Sequence, residues 1–368
     1  MNFQSTPFYE KIYNKINEFS GILNGHLHLD RAGTIEAKYF QGINLNPLEN
    51  SYISLAKKHN LISILHNGIA YEKEDLKSRV NYYLDQMIKL NTFRADTVVD
   101  VSFDKVGLSA LEVMKEIKHE RLKEIDLRLG AYSPLGFIDT EPQRWDLLVE
   151  GAKISDFIGS LPERDDKHHY PSHIGFSEHC QRMLILAQEL NKPLHIHLDQ
   201  RNEPSENGTE ILIDAIAKVG LPISAKGETM VWGIHVISPS TYEEKRFFKL
   251  VEALVKYNIG VICCPSAAIS MRQIRSISTP TYNSIARILE MLVAGVQVRL
   301  GSDNIADICS PSATANLIDE IFVLSNAIRF YNIEILAKLA AGVALNEDNK
   351  ELIKLHLHNN NLEIEKIY

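Results

Sequence analysis

Short apolar runs alternate along the chain with longer stretches in which apolar positions recur every three or four residues. Eight of the short runs read as strands: 21–29 (GILNGHLHL), 96–103 (DTVVDVSF), 124–132 (EIDLRLGAY), 155–162 (SDFIGSLP), 193–199 (PLHIHLD), 231–238 (VWGIHVIS), 259–266 (IGVICCPS) and 296–303 (VQVRLGSD). Helical periodicity fills 74–90, 109–122, 180–190, 242–257 and 282–295. Strands alternating with helices of this length imply parallel βαβ units, and eight of them close a TIM-type (β/α)8 barrel. A ninth strand-like run, LISILHNG (61–68), falls outside the alternation and is assigned to the connection between the first two strands. No repeat, low-complexity tract or Pro/Ser-rich linker divides the chain. The expected organisation is an N-terminal helical segment over 1–20, one α/β barrel over 21–330, and C-terminal helices with a polar tail over 331–368.

Composition adds a class and excludes some partners. The chain has 368 residues, 45% hydrophobic and 23% charged, enough to bury a large core without disulfide staples. A formal net charge of −8 disfavours nucleic acid and anionic membrane, which need a basic footprint. The opening MNFQSTPFYEKIYNKINEF lacks the apolar stretch of a secretory signal, and no segment has the ~20 apolar residues that cross a bilayer. Cys180, Cys263, Cys264 and Cys309 include no CxxC pair and read as reduced, mostly buried thiols. A cytoplasmic chain acting on a small molecule is the expectation.

The chemistry sits at strand ends. His26 and His28 are two apart, so strand alternation puts both imidazoles on one face, at the C-terminal end where barrel sites form. Spacing alone is weak evidence, because LHLH recurs at 355–358 in the polar tail, where ordinary solvated or packed histidines are expected. The company of His26 and His28 raises them above that control. His195 and His197 share a face of a later strand; His197 is nearer its C-terminal end and is the ligand candidate, while His195 reads as a core histidine needing a hydrogen-bond partner. His235 ends the next strand and Asp303 ends the last.

NGHLHLD, PLHIHLD, the lone His235 and LGSDNIAD (300–307) occur in an order and spacing that resemble the amidohydrolase superfamily, and within it the cytosine deaminase-like branch. The likeness runs from about residue 20 to about residue 330. The resemblance implies one divalent ion, Zn2+ or Fe2+, held by His26, His28, His197 and Asp303, which turns a bound water into hydroxide near neutral pH. It assigns that water's proton to Asp303 and a hydrogen bond to the attacking oxygen to His235. No strand-end lysine of the kind carboxylated in two-metal relatives is present. Arg31, Asn304 and Ser133 are the substrate-binding candidates, Arg31 suiting a carboxylate or a developing anion if it is not simply solvated.

Three departures from that resemblance bear on the reaction. Deaminating members carry a glutamate three residues after the metal histidine; here it is Gln200, whose amide cannot shuttle a proton. Asp199 should point away from His197's side of the strand, leaving it a poor substitute. Where cytosine deaminases place a pyrimidine-reading glutamine, this chain has Pro134, which offers no side-chain donor or acceptor. The β-sandwich usual in the family is missing, so the barrel covers its own edge or pairs with a second copy, with the exposed-looking N-terminal helix as one means.

The expected reaction is hydrolysis of a C–N bond in a small nitrogen heterocycle, by deamination of an exocyclic amine. Opening of a cyclic amide, which Gln200 favours, is the alternative, and a metal-binding pseudoenzyme is the second. Of the remaining residues, Asp307 either holds a histidine from behind or caps a helix near Ser312. The polar loop 161–173 is a solvated loop or a lid, and Cys309 is given no role.

Overall fold

Each of the eight predicted strands forms, and they pair in parallel in chain order: β1 (Ile22–Leu27), β2 (Thr92–Asp100), β3 (Asp126–Tyr132), β4 (Phe157–Ser160), β5 (Leu194–Leu198), β6 (Val231–His235), β7 (Ile259–Cys263) and β8 (Val298–Leu300). The computed structural model describes residues 6–40, 46–49, 55–271 and 285–366. The ring closes just beyond β8, where Leu27 bridges Asp303 in parallel. At this seam the Asp303 N–H donates to the His26 carbonyl (3.0 Å) and the His28 N–H to the Asp303 carbonyl (3.2 Å). Side chains lock it as well: Asn24 donates to Ser302 Oγ (2.7 Å) and accepts from the Ser302 N–H (3.1 Å), across 278 residues of sequence. The approach is too close for a side chain at Gly301, where a Cβ would lie 2.8 Å from the His26 carbonyl oxygen.

Helices cover the strands as the periodicity predicts, including Lys73–Lys89, Ser109–Glu120, Phe176–Leu190 and Glu244–Lys256. Helix Ile288–Ala294 covers part of the segment predicted over 282–295, of which 282–284 lie outside the described residues. The strand-like run at 61–68 does lie in the β1–β2 connection, but as helix Ile62–Asn67. Its Ile62, Leu65 and His66 recur at helical spacing and are buried, so a short apolar run misread by alternation is resolved by packing.

The N-terminal helix Pro7–Glu18 is not the exposed helix that its charges suggest. Ile12 and Ile16, one turn apart, are fully buried in a cluster that includes Ile335 and Leu336 of helix Ile333–Ala341. The helix expected near Ser312 begins at Leu317, capped by the Asn316 side chain on the Ile318 N–H. Helix Glu347–Glu365 carries the tail. No helix among the described residues is long and apolar enough to cross a membrane.

Candidate metal centre

The four predicted ligands meet at the C-terminal end of the barrel. His26 lies in β1 and His28 just past it, His197 in β5, and Asp303 three residues past β8. One ligand atom from each lies within 4.8 Å of the others, and all four side chains are buried. Asp303 Oδ1 is 3.3 Å from both His26 Nε2 and His28 Nε2, yet has no hydrogen-bond partner among the described residues. His197 Nε2 faces His26 Nε2 at 3.1 Å. His197 donates from Nδ1 to the Ser160 carbonyl (2.9 Å), which leaves the Nε2 lone pair free.

Burial keeps the His28 and His197 rings neutral. Burial takes His28 down to about 3, with the Arg31 cation adding to it, and burial with the neighbouring imidazoles takes His197 well below the usual histidine range. Imidazoles facing one another and an orphaned carboxylate oxygen form a donor set that fits a divalent cation. His235 stands beside them, its ring 5.5 Å from that of His197, and burial lowers it to about 4. Two of these residues hold strained backbone, with φ of 73° at His235 and 57° at Asp303, in a region that side chains other than glycine seldom occupy.

A cavity of about 70 Å³ opens here, small beside the ~300–1,000 Å³ of typical ligand clefts. Arg31, Gln200, His235 and Asn304 all line it, and Asn304 Oδ1 is buried without a partner among the described residues. Ser133 does not. It is buried, but the preceding residue Tyr132 takes the place at the wall, with its ring 5.5 Å from His197. Arg31 is not solvated: it is 3% exposed, donates to His28 Nδ1, and lies 3.8 Å from Asp100. Asp199 turns outward, as alternation predicts, and caps helix Gly208–Val219 by accepting from the Gly208 (2.6 Å) and Thr209 (2.9 Å) N–H groups. Asp307 accepts from Cys309 and Ser310 N–H and so caps its own turn, not a helix. His195 is a buried histidine on Phe157, but its Nδ1 lacks the partner expected for it. The tail pair is dispersed on helix Glu347–Glu365, with His356 against Phe330 and His358 exposed.

Two features of the site escaped sequence reasoning. Asp100 ends β2 and anchors a buried network. Tyr71 donates to it (2.7 Å) while lying 3.1 Å from Asp30, and His66 joins it to Asp104 through contacts of 3.0 and 2.6 Å. Burial and the Asp100 charge push Asp30 up to about 7. An acid at a strand's C-terminal end was the available signal. The other feature is Glu163, just after β4, whose Oε2 accepts from Gln200 Nε2 at 3.1 Å. Burial and the nearby Glu206 push Glu163 up to about 8. Nothing in the sequence couples it to Gln200.

No family model matches the chain. It is 26% identical over 287 residues to an uncharacterized protein of Haemophilus influenzae, spanning 76% of this chain and 94% of that one. Among solved structures, 5-methylcytosine deaminase from Klebsiella pneumoniae liganded with 5-fluorocytosine superposes with a TM-score of 0.72 at 20% identity, over 87% of this chain and 72% of that one. N-isopropylammelide isopropylaminohydrolase from Burkholderia multivorans gives 0.65 at 17% identity, over 88% and 73%. Atrazine chlorohydrolase from Arthrobacter aurescens, complexed with zinc, gives 0.55 at 13% identity, over 84% and 64%. At these identities the likeness establishes a shared barrel fold.

Proposed function

We propose that the chain is a metal-dependent hydrolase of the amidohydrolase superfamily that cleaves a C–N bond in a small nitrogen heterocycle, releasing an exocyclic amine. The carrying observation is the convergence of His26, His28, His197 and Asp303 within 4.8 Å, with His235 beside them. Similarity of fold to a deaminase and an aminohydrolase supports the reading. The four residues would hold one Zn2+ or Fe2+, which, when bound, lowers the pKa of water enough for attack at neutral pH. Asp303 would accept the proton of the attacking water. His235 donates a hydrogen bond to the oxygen on which negative charge develops. Arg31, fixed by His28 and Asp100, presents a cation to the same cavity and favours an anionic substrate or intermediate. A cytosolic location is part of the proposal and agrees with four unpaired cysteines.

Gln200 supports a second reading. With Nε2 donated to Glu163, its amide keeps Oε1 for the cavity, an acceptor that positions a substrate N–H but carries no proton. Hydrolytic opening of a cyclic amide needs no such shuttle. Mass spectrometry of a cytosolic metabolite pool treated with metal-loaded protein, against the His197→Ala variant, decides between the two. Exchange of an NH group for oxygen with ammonia release marks deamination. Gain of one water marks ring opening. No His197-dependent product would refute both.

A further inference from the structure

The opposite, N-terminal end of the barrel is charged. Barrel interiors are usually filled by branched apolar side chains, yet here Arg94, Asp96, His195 and Arg299 line a cavity of about 730 Å³ together with Phe157 and Trp232. Its charges do not balance in pairs. Arg94 spends Nε and Nη2 on the two oxygens of Asp96, at 2.7 and 2.9 Å. Among the described residues, Arg299 pairs with the same carboxylate alone, 3.6 Å away, and rests on the Trp232 ring at 4.0 Å.

Two nearby carboxylates are committed elsewhere: Asp156 accepts Lys118 on both oxygens, and Asp126 accepts Arg128. Asp96 is 1% exposed and serves two guanidiniums, so the floor holds one surplus cation. At the wall Lys226 and Lys350 add two positive charges against the one negative charge of Glu228. Burial brings Arg299 down to about 10, with Asp96 opposing and the Arg94 charge adding to the fall. His195, 2% exposed on the same lining, has no partner for Nδ1 among the described residues. A buried imidazole nitrogen without a partner is costly unless something else completes it.

We propose that this floor is an anion site that takes a phosphate group, bridged between the Arg94 and Arg299 guanidiniums beside His195. Planar guanidiniums match phosphate oxygens with paired N–H donors, and phosphate carries the charge that the lone carboxylate leaves uncompensated. The cavity admits either free phosphate or the phosphoryl end of a larger metabolite.

Trp232 provides a local reporter. The chain has two tryptophans, and Trp145→Phe leaves Trp232 as the sole one. Titrating that variant with inorganic phosphate, and separately with adenosine monophosphate, should change Trp232 emission saturably. Potassium chloride at matched ionic strength should not. The relative affinities then separate a free-phosphate site from a phosphomonoester site. Added to that variant, Arg299→Gln should weaken binding about tenfold or more, the loss of a charge-assisted hydrogen bond. Arg299→Lys should keep part of the affinity, and Asp96→Asn, which removes the competing carboxylate, should tighten it. Circular dichroism checks that each variant is folded. No saturable response to either phosphate compound would overturn the proposal. So would an equal response to chloride, or unchanged affinity in a folded Arg299→Gln variant. None of these readouts depends on catalysis, so the result stands apart from the fate of the proposed reaction.

Discussion

At the C-terminal end of the strands, three imidazoles and a carboxylate turn unshared electron pairs toward one point. At the N-terminal end, two guanidiniums turn N–H groups toward one carboxylate. The first arrangement lacks positive charge and the second lacks negative charge. They are also built differently. The upper set draws on residues near or past strand ends, and Asp303 among them, like the adjacent His235, is held at positive φ, so the backbone bends to aim the side chain. Arg94, Asp96, His195, Trp232 and Arg299 sit within regular strands, where pleat alternation alone turns them to a face. A barrel end reached by loops can be tuned residue by residue; one built from strand starts inherits what the register places there.

The sharpest way to break this contrast is to remove the upper carboxylate. Asp303→Asn should reduce bound metal from near one ion per chain to a trace, measured by elemental analysis after dialysis, while leaving the phosphate response at the base intact. Coupled loss of both would mean that the two ends are not independent.

Next in size is the buried network behind Arg31. Burial alone would lower His66, but Asp100 and Asp104 outweigh it and hold it at about 9. A histidine raised in the folded chain contributes fully below its unfolded value of ~6.5 and loses that contribution as pH passes through 9. Stability should therefore fall between pH 6.5 and 9, by on the order of 3 kcal/mol. Denaturant unfolding across that range should show the slope, and His66→Gln should flatten it.

At the base, Asp96→Asn leaves two guanidiniums without a counter-charge. It should cost about 2 kcal/mol, below the ~3–5 of a fully buried pair because both arginines are partly exposed. Phosphate should restore much of the loss in thermal unfolding. A smaller effect separates the two readings of the reaction. Gln200→Glu sets a second carboxyl against Glu163 and should destabilise by about 1 kcal/mol, relieved in the swap Gln200→Glu with Glu163→Gln. Ammonia release should rise in the swap if the site is a deaminase lacking its acid. Smallest of all, His356→Ala and His358→Ala should leave metal content unchanged.

Much of the molecule was legible in the sequence, because the signals that reveal strands are local. The eight apolar runs each became a strand, and HxH at 26–28 and H at 197 fell at strand ends. The failures share a cause. LISILHNG is a helix because its apolar residues find a core at helical spacing, and alternation over eight residues does not distinguish the two. Ser133 and Tyr132 are neighbours, and which one reaches the cavity depends on where β3 stops. The N-terminal helix reads as surface by composition, yet Ile12 and Ile16 are buried among residues that include Ile335 and Leu336, more than 300 positions away.

Residue periodicity and strand-end chemistry thus carried the barrel and the four ligand candidates, since both follow from spacings of a few residues. Pairings across long separations were not written in any local pattern. Gln200 meets Glu163 and Arg31 meets Asp100 because pairing of neighbouring strands sets their ends side by side, and Arg299 shares Asp96 with Arg94 because closing the barrel brings β8 near β2. Those contacts decide which charges are satisfied and which are left over, and at both ends of this barrel the unsatisfied charge marks the place where a ligand is expected.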